Sequence, residues 1–138
     1  MSTDFCLSLK DYADAVLSGW PASDLERAVL HDLPRRFHDL PPDAQAAVLA
    51  AAPPLTRTRW DALIAATAEH IARLHGHDLP AWIDEPERFL DRTWILPDAP
   101  FMRWNAIVYA PAAFIRHGAL PDPRDLDTRG GERYAWTP

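Results

Sequence analysis

The side chains of this chain best suited to chemistry fall between Glu69 and Glu87. Glu69, His70, His75 and His77 lie within nine residues, and Asp84, Glu85 and Glu87 follow closely. Imidazoles and carboxylates so spaced are the raw material of zinc sites and of general acid–base work. A helical zinc pair, however, needs histidines four apart on one face. His70 and His75 are five apart, which turns their rings roughly 140° from each other around a helix. They cannot share an ion while both stay helical, and they are expected as boundary residues on opposite flanks of an apolar stripe. His75 and His77 suit a helix C-terminus, where a partial positive charge is welcome. The acids at 84, 85 and 87 read as helix-start charges paired locally with Arg88 and Arg92. Cys6 is the single cysteine, so it has no disulfide partner, and it is expected as a small buried hydrophobe.

No phosphate-binding loop, dinucleotide fingerprint or nucleophile elbow occurs. The expectation is therefore no catalytic residue, no metal and no cofactor. The alternative is a small metal- or ligand-binding enzyme using Glu69 and His70 with Glu85 and Glu87.

The elements that must hold these residues follow from composition and pattern. The chain has 138 residues, 48% of them hydrophobic, with fourteen prolines, six tryptophans and only five glycines. That suits one all-α domain, a compact bundle of about five main helices with short proline-punctuated helical turns between them. The net charge of −6 is uneven: −4 over residues 1–55, −2 over 56–96 and 0 over 97–138. An acidic chain without a basic patch is a poor ligand for nucleic acid, whose phosphates supply most of the affinity. A basic protein partner fits the N-terminal half better. No apolar run approaches a membrane span and no secretory leader is visible, so a cytoplasmic location is expected.

Apolar spacing predicts a first helix from Asp4 to Leu17 through Leu9, Tyr12, Ala13, Val16 and Leu17. Ser23-Asp24-Leu25-Glu26 has the form of a capping box opening a second helix, which Pro34 kinks or restarts. A third helix is predicted from Asp43 to Ala51, closed by Pro53-Pro54. The fourth, Arg59 to His75, has Thr58 as cap, Asp61 one turn in and Gly76 past its end. Its stripe of Trp60, Leu63, Ile64, Thr67, Ile71 and Leu74 marks it as the central scaffold. Two single-turn helices start at Pro80 and Pro86, pinned by burial of Trp82, Phe89, Leu90 and Trp94. A helix from Asp98 to Tyr109 is apolar around most of its circumference, and so is either buried or facing a partner. It places Phe101, Trp104, Ile107 and Val108 on one side and Met102 and Tyr109 on the other. Pro111 restarts a shorter helix closed by Gly118, a last helical turn falls within Leu120–Leu126, and 128–138 reads as an extended tail carrying Tyr134 and Trp136.

One resemblance spans these elements. Trp60-Asp61-Ala62-Leu63-Ile64, Ala68-Glu69-His70, Pro80-Ala81-Trp82, Glu85-Pro86-Glu87-Arg88-Phe89-Leu90, Trp94, Ala110-Pro111-Ala112-Ala113-Phe114-Ile115-Arg116-His117-Gly118 and Asp125-Leu126 occur in that order. Residues 55–127 thereby resemble the C-terminal region of small bacterial antitoxin-like regulators, which commonly follows an Xre-type helix-turn-helix and is encoded beside a nucleotidyltransferase-like toxin. Residues 1–54 form the helical connector in this comparison. They lack a recognisable DNA-binding unit, because residues 24–51 carry five acids against three arginines and Pro41-Pro42 replaces a glycine turn. The resemblance implies a non-enzymatic protein that neutralises a toxin by covering it. Aromatic and arginine anchors dominate such interfaces, so Trp82, Arg88, Trp94, Met102, Trp104 and Tyr109 are the expected partner-binding residues. A homodimer, and an accessory role in a transcription complex, are the further partner expectations.

Overall fold

A computed structural model describes residues 7–126; Cys6 and the 128–138 tail lie outside the described residues. The first helix, α1 (Leu9–Leu17), starts later than its periodicity predicts, because the Ser8 side chain accepts the Lys10 N–H and caps it there. Its buried arc is Leu9, Tyr12, Ala13 and Ala15. That arc is rotated toward Ala15, and Leu17, predicted to face inward, is exposed.

The next seventeen residues form one unbroken helical run: α2 (Ala22–Arg27), a π turn (Ala28–Asp32) and α3 (Leu33–His38). The expected capping box is not formed. The helix begins two residues earlier, behind Pro21, so Ser23 sits inside the first turn without a cap hydrogen bond. The π turn explains how Pro34 stays helical. Proline lacks an N–H and clashes with the carbonyl four residues back. Here the Leu33 N–H reaches past the usual partner to the Ala28 carbonyl, so the helix is widened just before Pro34.

Pro42 occupies the first turn of α4 (Pro42–Ala50), which buries Gln45, Val48 and Leu49. The Gln45 amide donates to the Phe37 carbonyl at 2.9 Å and locks α4 to α3. The central helix is α5 (Trp60–Leu74). At its start Thr58 Oγ1 accepts the Trp60 N–H, while the Asp61 carboxylate accepts the N–H groups of Thr56 at 2.9 Å and Arg57 at 2.8 Å. At its end Gly76 takes φ +75°, with the Gly76 N–H on Arg73 O and the His77 N–H on Ala72 O. That pair of bonds is a Schellman closure. The predicted one-sided stripe is an underestimate: every residue from Trp60 to Ala72 is buried. The helix is surrounded by α1, α3, the π turn and later elements.

Pro80 and Pro86 open single turns as predicted, both of the tighter 3-10 type, at Ala81–Asp84 and Pro86–Arg88. The fold is mostly helical with one addition, a parallel pair of two-residue strands, β1 (Trp94–Ile95) and β2 (Ala119–Leu120), in register Trp94↔Ala119. Between them lie α6 (Pro100–Tyr109) and α7 (Ala112–His117), and a final 3-10 turn covers Pro123–Asp125. Gly118 ends α7 at φ +85°, where an added Cβ would stand 3.1 Å from the Leu90 carbonyl oxygen. One hydrophobic cluster joins Leu9, Phe37 and Leu49 to Ile64, Ile83 and Phe114. No helix of the described residues is long and apolar enough to cross a membrane.

Candidate functional site

Two features stand out chemically: the outward face of α6, and a buried ionic network behind α7. The first begins with how α6 is attached. Pro100 sets its first turn without wasting a donor. Arg103 donates from Nη1 to the carbonyls of Ile95 at 3.2 Å and Pro97 at 3.1 Å, tying the helix to β1 and the strand's exit. Asn105 donates to the buried Asp122 carboxylate at 2.9 Å. Asp122 also receives Arg124, and burial, which alone raises its pKa, is outweighed by these hydrogen bonds, so it is held below the usual carboxylate range. Only Ala106 of α6 is fully buried.

The polar side of α6 therefore faces the body and its apolar side faces out. Phe101 and Trp104 are each 69% exposed, and Ile107, Val108, Tyr109 and the neighbouring Ile115 of α7 are exposed beside them. Arg124 lies 5.5 Å from the Phe101 ring at one end of this face. Within Pro100–Tyr109 the single formal charge is Arg103, and it is turned inward. From the size of three aromatic and three aliphatic side chains, the patch is on the order of 500 Å², toward the upper end of what monomers expose.

The second feature centres on Glu69, which is 1% exposed. Its carboxylate accepts Arg116 Nε at 3.1 Å and His117 Nε2 at 2.9 Å, and Arg73 reaches it from one turn along α5. Arg116 continues to Asp84 at 2.8 Å. The other ring nitrogen of His117 lies 2.7 Å from the Arg88 carbonyl. The Arg88 carbonyl and the Glu69 carboxylate thus bracket the buried ring, one at each nitrogen. Burial pushes the Glu69 carboxyl up, but Arg116 and His117 outweigh it and hold it low. Phe89 stacks on His117 at 4.4 Å between centroids. Glu69 spends its lone pairs on cations, which makes it a structural anion and a poor proton acceptor.

Placed on this frame, the residues expected from sequence divide. Trp104 and Tyr109 are exposed, Met102 and Trp94 are half-buried, and Trp94 packs edge-on to Trp60 at 5.0 Å. Trp82 and Arg88 are corrected, since both are interior. The Trp82 indole donates to the Leu49 carbonyl at 2.8 Å. Arg88, 1% exposed, donates to the Pro53 carbonyl at 2.7 Å and to Glu85 at 3.2 Å, with its guanidinium 4.9 Å from the Trp82 ring. Its Nη1 has no acceptor among the described residues. Neither side chain is available as a surface contact.

The acid–histidine set does not converge either. His70, expected at a boundary, is buried beside Phe114, and burial lowers its pKa to about 4. His75 sits on another side, against Phe37 and His38. Glu85 is occupied by Arg88 and Glu87 is exposed. Among the described residues no group of three or more His, Cys, Asp or Glu is arranged to hold a metal ion. Sequence reading missed Phe101, Ile107, Val108 and Ile115 as surface residues, and missed His117 and Arg116 as partners of Glu69. The signal for the first was present: Arg103 and Asn105 lie on either side of Met102 and Ala106, so bonding those two inward forces the aromatic side out. No family model, curated protein or solved structure matches the chain.

Proposed function

We propose that this chain is a non-enzymatic, antitoxin-like protein of the bacterial cytoplasm that binds a partner toxin through the outward face of α6. The observation that carries this reading is a helix fixed by its polar side and displaying an uncharged aromatic side. Phe101, Trp104 and Val108 stand at i, i+3 and i+7, the spacing by which an amphipathic helix seats three anchors in a groove. The partner is accordingly a protein with an apolar groove and few charges along its floor, because a buried unpaired charge against this face would be costly. Ile107, Tyr109 and Ile115 form the surround that keeps water from the anchors. Covering such a groove on a toxin neutralises it without any bond being made or broken.

The test is co-expression with the product of the adjacent gene, followed by titration of the purified partners. The wild-type pair forms a stable complex, and Trp104→Ala weakens it by roughly 30-fold or more, as expected of a central aromatic anchor. Phe101→Ala weakens it too, while far-UV circular dichroism of both variants stays unchanged. A complex indifferent to both substitutions sinks the α6 assignment. So does a chain that is already a dimer through α6 when alone.

A further inference from the structure

A second surface feature is independent of the α6 face and has a different chemistry. Between the start of α2, the start of α5 and the chain from Leu90 to Asp98 runs a cleft of about 620 Å³. That volume falls within the range of small-molecule sites, roughly 300–1,000 Å³. Its charged lining is Arg59, Arg92 and Arg103 on the one hand and Glu26 and Asp98 on the other, with Trp94 among the apolar walls. Three guanidiniums gathered in one cleft are notable in a chain whose net charge is −6.

Two of those guanidiniums are held by no hydrogen bond or salt bridge among the described residues, though Arg59 acts at a distance on Glu26. The other buried or bridging arginines of the fold are held: Arg88 by Glu85, Arg116 by Glu69 and Asp84, Arg124 by Asp122. Arg103 spends Nη1 on two carbonyls. Arg59 instead lies 4.0 Å over the Trp94 ring. Among the described residues no salt bridge or hydrogen bond holds the Arg59 or Arg92 side chain. A guanidinium attached through the ring face rather than through its N–H groups can still offer them to a phosphate or carboxylate bidentately. The rest of the charged lining is of the other kind. Glu26 and Asp98 are acceptors suited to hydroxyl or amine donors, and burial, with Asp125 and Asp98 nearby, raises the Glu26 carboxyl above its ordinary range against the smaller pull of Arg59.

From the gathering of Arg59, Arg92 and Trp94 with Glu26 and Asp98 in one cleft, we infer that it binds a small phosphorylated ring compound of the nucleoside monophosphate class. The phosphate sits at the Arg59 and Arg92 edges, where a doubly charged group meets two forks. The sugar or base donors meet Glu26 and Asp98, and the ring lies along the apolar wall that includes Trp94. Arg59 and Arg92 are exposed, so neither is needed to complete the core.

Adenosine monophosphate, adenosine and inorganic phosphate are the three probes, titrated by calorimetry at low ionic strength into the whole chain. The monophosphate binds saturably with a dissociation constant of about 100 µM or tighter. Adenosine and inorganic phosphate each bind at least roughly tenfold more weakly, since each keeps only part of the contacts. Arg59→Gln with Arg92→Gln lowers monophosphate affinity roughly tenfold or more, and Arg59→Lys retains part of it. Absence of saturable monophosphate binding overturns the inference. Binding unchanged in the double variant, or inorganic phosphate binding as tightly as the monophosphate, overturns it as well. Trp104→Ala leaves this titration unchanged, so the cleft and the α6 surface stand or fall separately.

Discussion

Helices α5 and α6 invert the usual relation between composition and burial. The fifteen residues of α5 include Asp61, Thr67, Glu69 and His70, and all four are buried. The ten residues of α6 contain two strongly polar side chains, and the helix buries only Ala106. The difference lies in where polar groups find partners. On α5 they are satisfied from outside the helix or from its own turns: Asp61 by Thr56 and Arg57, Thr67 by the Leu63 carbonyl, Glu69 by Arg116 and His117. A paired polar group can be buried at little cost, and the rest of the helix follows it inward. On α6 the polar groups are also satisfied inside, by carbonyls of the β1 exit and by Asp122. Because they occupy the inward side, the large apolar residues are displaced to the outside. Polar partnership, more than hydropathy, sets which way each helix faces.

The sharpest way to break this account is to remove the anion that lets α5 be buried. Glu69→Ala strips the counter-charge from Arg116 and the hydrogen-bond partner from buried His117. Breaking a buried pair from one side typically costs about 3–5 kcal/mol, because the partner charge is left behind. The measurement is urea unfolding, in which the midpoint falls while the m-value is kept. Glu69→Ala with a midpoint within experimental error of wild type would show that α5 does not depend on this network. Arg116 is partly exposed and can be rehydrated, so most of the loss belongs to buried His117, whose ring nitrogen is left without its partner.

His70 gives a pH-dependent version of the same test. Its folded pKa is lowered from 6.5 to about 4 by burial, so the folded state resists protonation that the unfolded chain accepts. In that window the unfolded state binds more protons, and stability rises with pH. Stability is therefore full above about pH 6.5 and falls by about 3 kcal/mol as pH drops toward 4. The lowered Glu69 pKa acts later, where its carboxylate is finally protonated below the ordinary carboxylate range. His75, lowered by burial and by His38 and His77, adds to the slope near neutrality. His70→Leu keeps the apolar packing against Phe114 and removes most of the slope between pH 6.5 and 4.5. An unchanged slope in that variant would move the titration to other groups.

These cases also show what was legible in the sequence. Elements announced by local chemistry were readable: α5 with its Thr58 cap and Gly76 closure, and the turns behind Pro80 and Pro86. The proposed capping box at Ser23 was not, since Pro21 starts the helix two residues sooner, and a motif cannot reveal which of two nearby starts wins. The short strands β1 and β2 are two residues each and paired across twenty-odd positions, too brief to leave a pattern. At the candidate site Trp104 and Tyr109, expected to bind a partner, are exposed. Trp82 and Arg88 were not, because their burial depends on the Leu49 and Pro53 carbonyls, more than thirty residues away. Contacts of that range are invisible to periodicity.

Gly118 separates scaffold from display surface with a smaller effect. It closes α7 against α5, and its carbonyl accepts the Trp94 N–H at 2.8 Å. Gly118→Ala meets both a left-handed backbone and the Leu90 carbonyl, and is expected to cost about 2 kcal/mol. Thermal unfolding reads this as a lower Tm. Partner binding through α6, measured well below that Tm, remains within roughly twofold of wild type, since Arg103 and Asn105 still anchor the helix from its own inner side. A parallel loss of binding would mean that α6 takes its position from the α5–α7 seam and not from its own polar ties.

The smallest expected change in stability is also the most discriminating. Trp104 is a large aromatic residue, and in a core its truncation would cost about 3–5 kcal/mol. On the outward face of α6 it packs against solvent, so Trp104→Ala should shift unfolding free energy by no more than about 0.5 kcal/mol. Alanine is the better helix former, and the substitution can even stabilise an exposed helix slightly. Equilibrium unfolding of the isolated chain decides the matter. A loss in the core range would place Trp104 against another part of the protein in solution, and the uncovered apolar face on which partner binding rests would not exist. A change near zero, beside a large loss of affinity in the complex, assigns the same side chain to recognition alone.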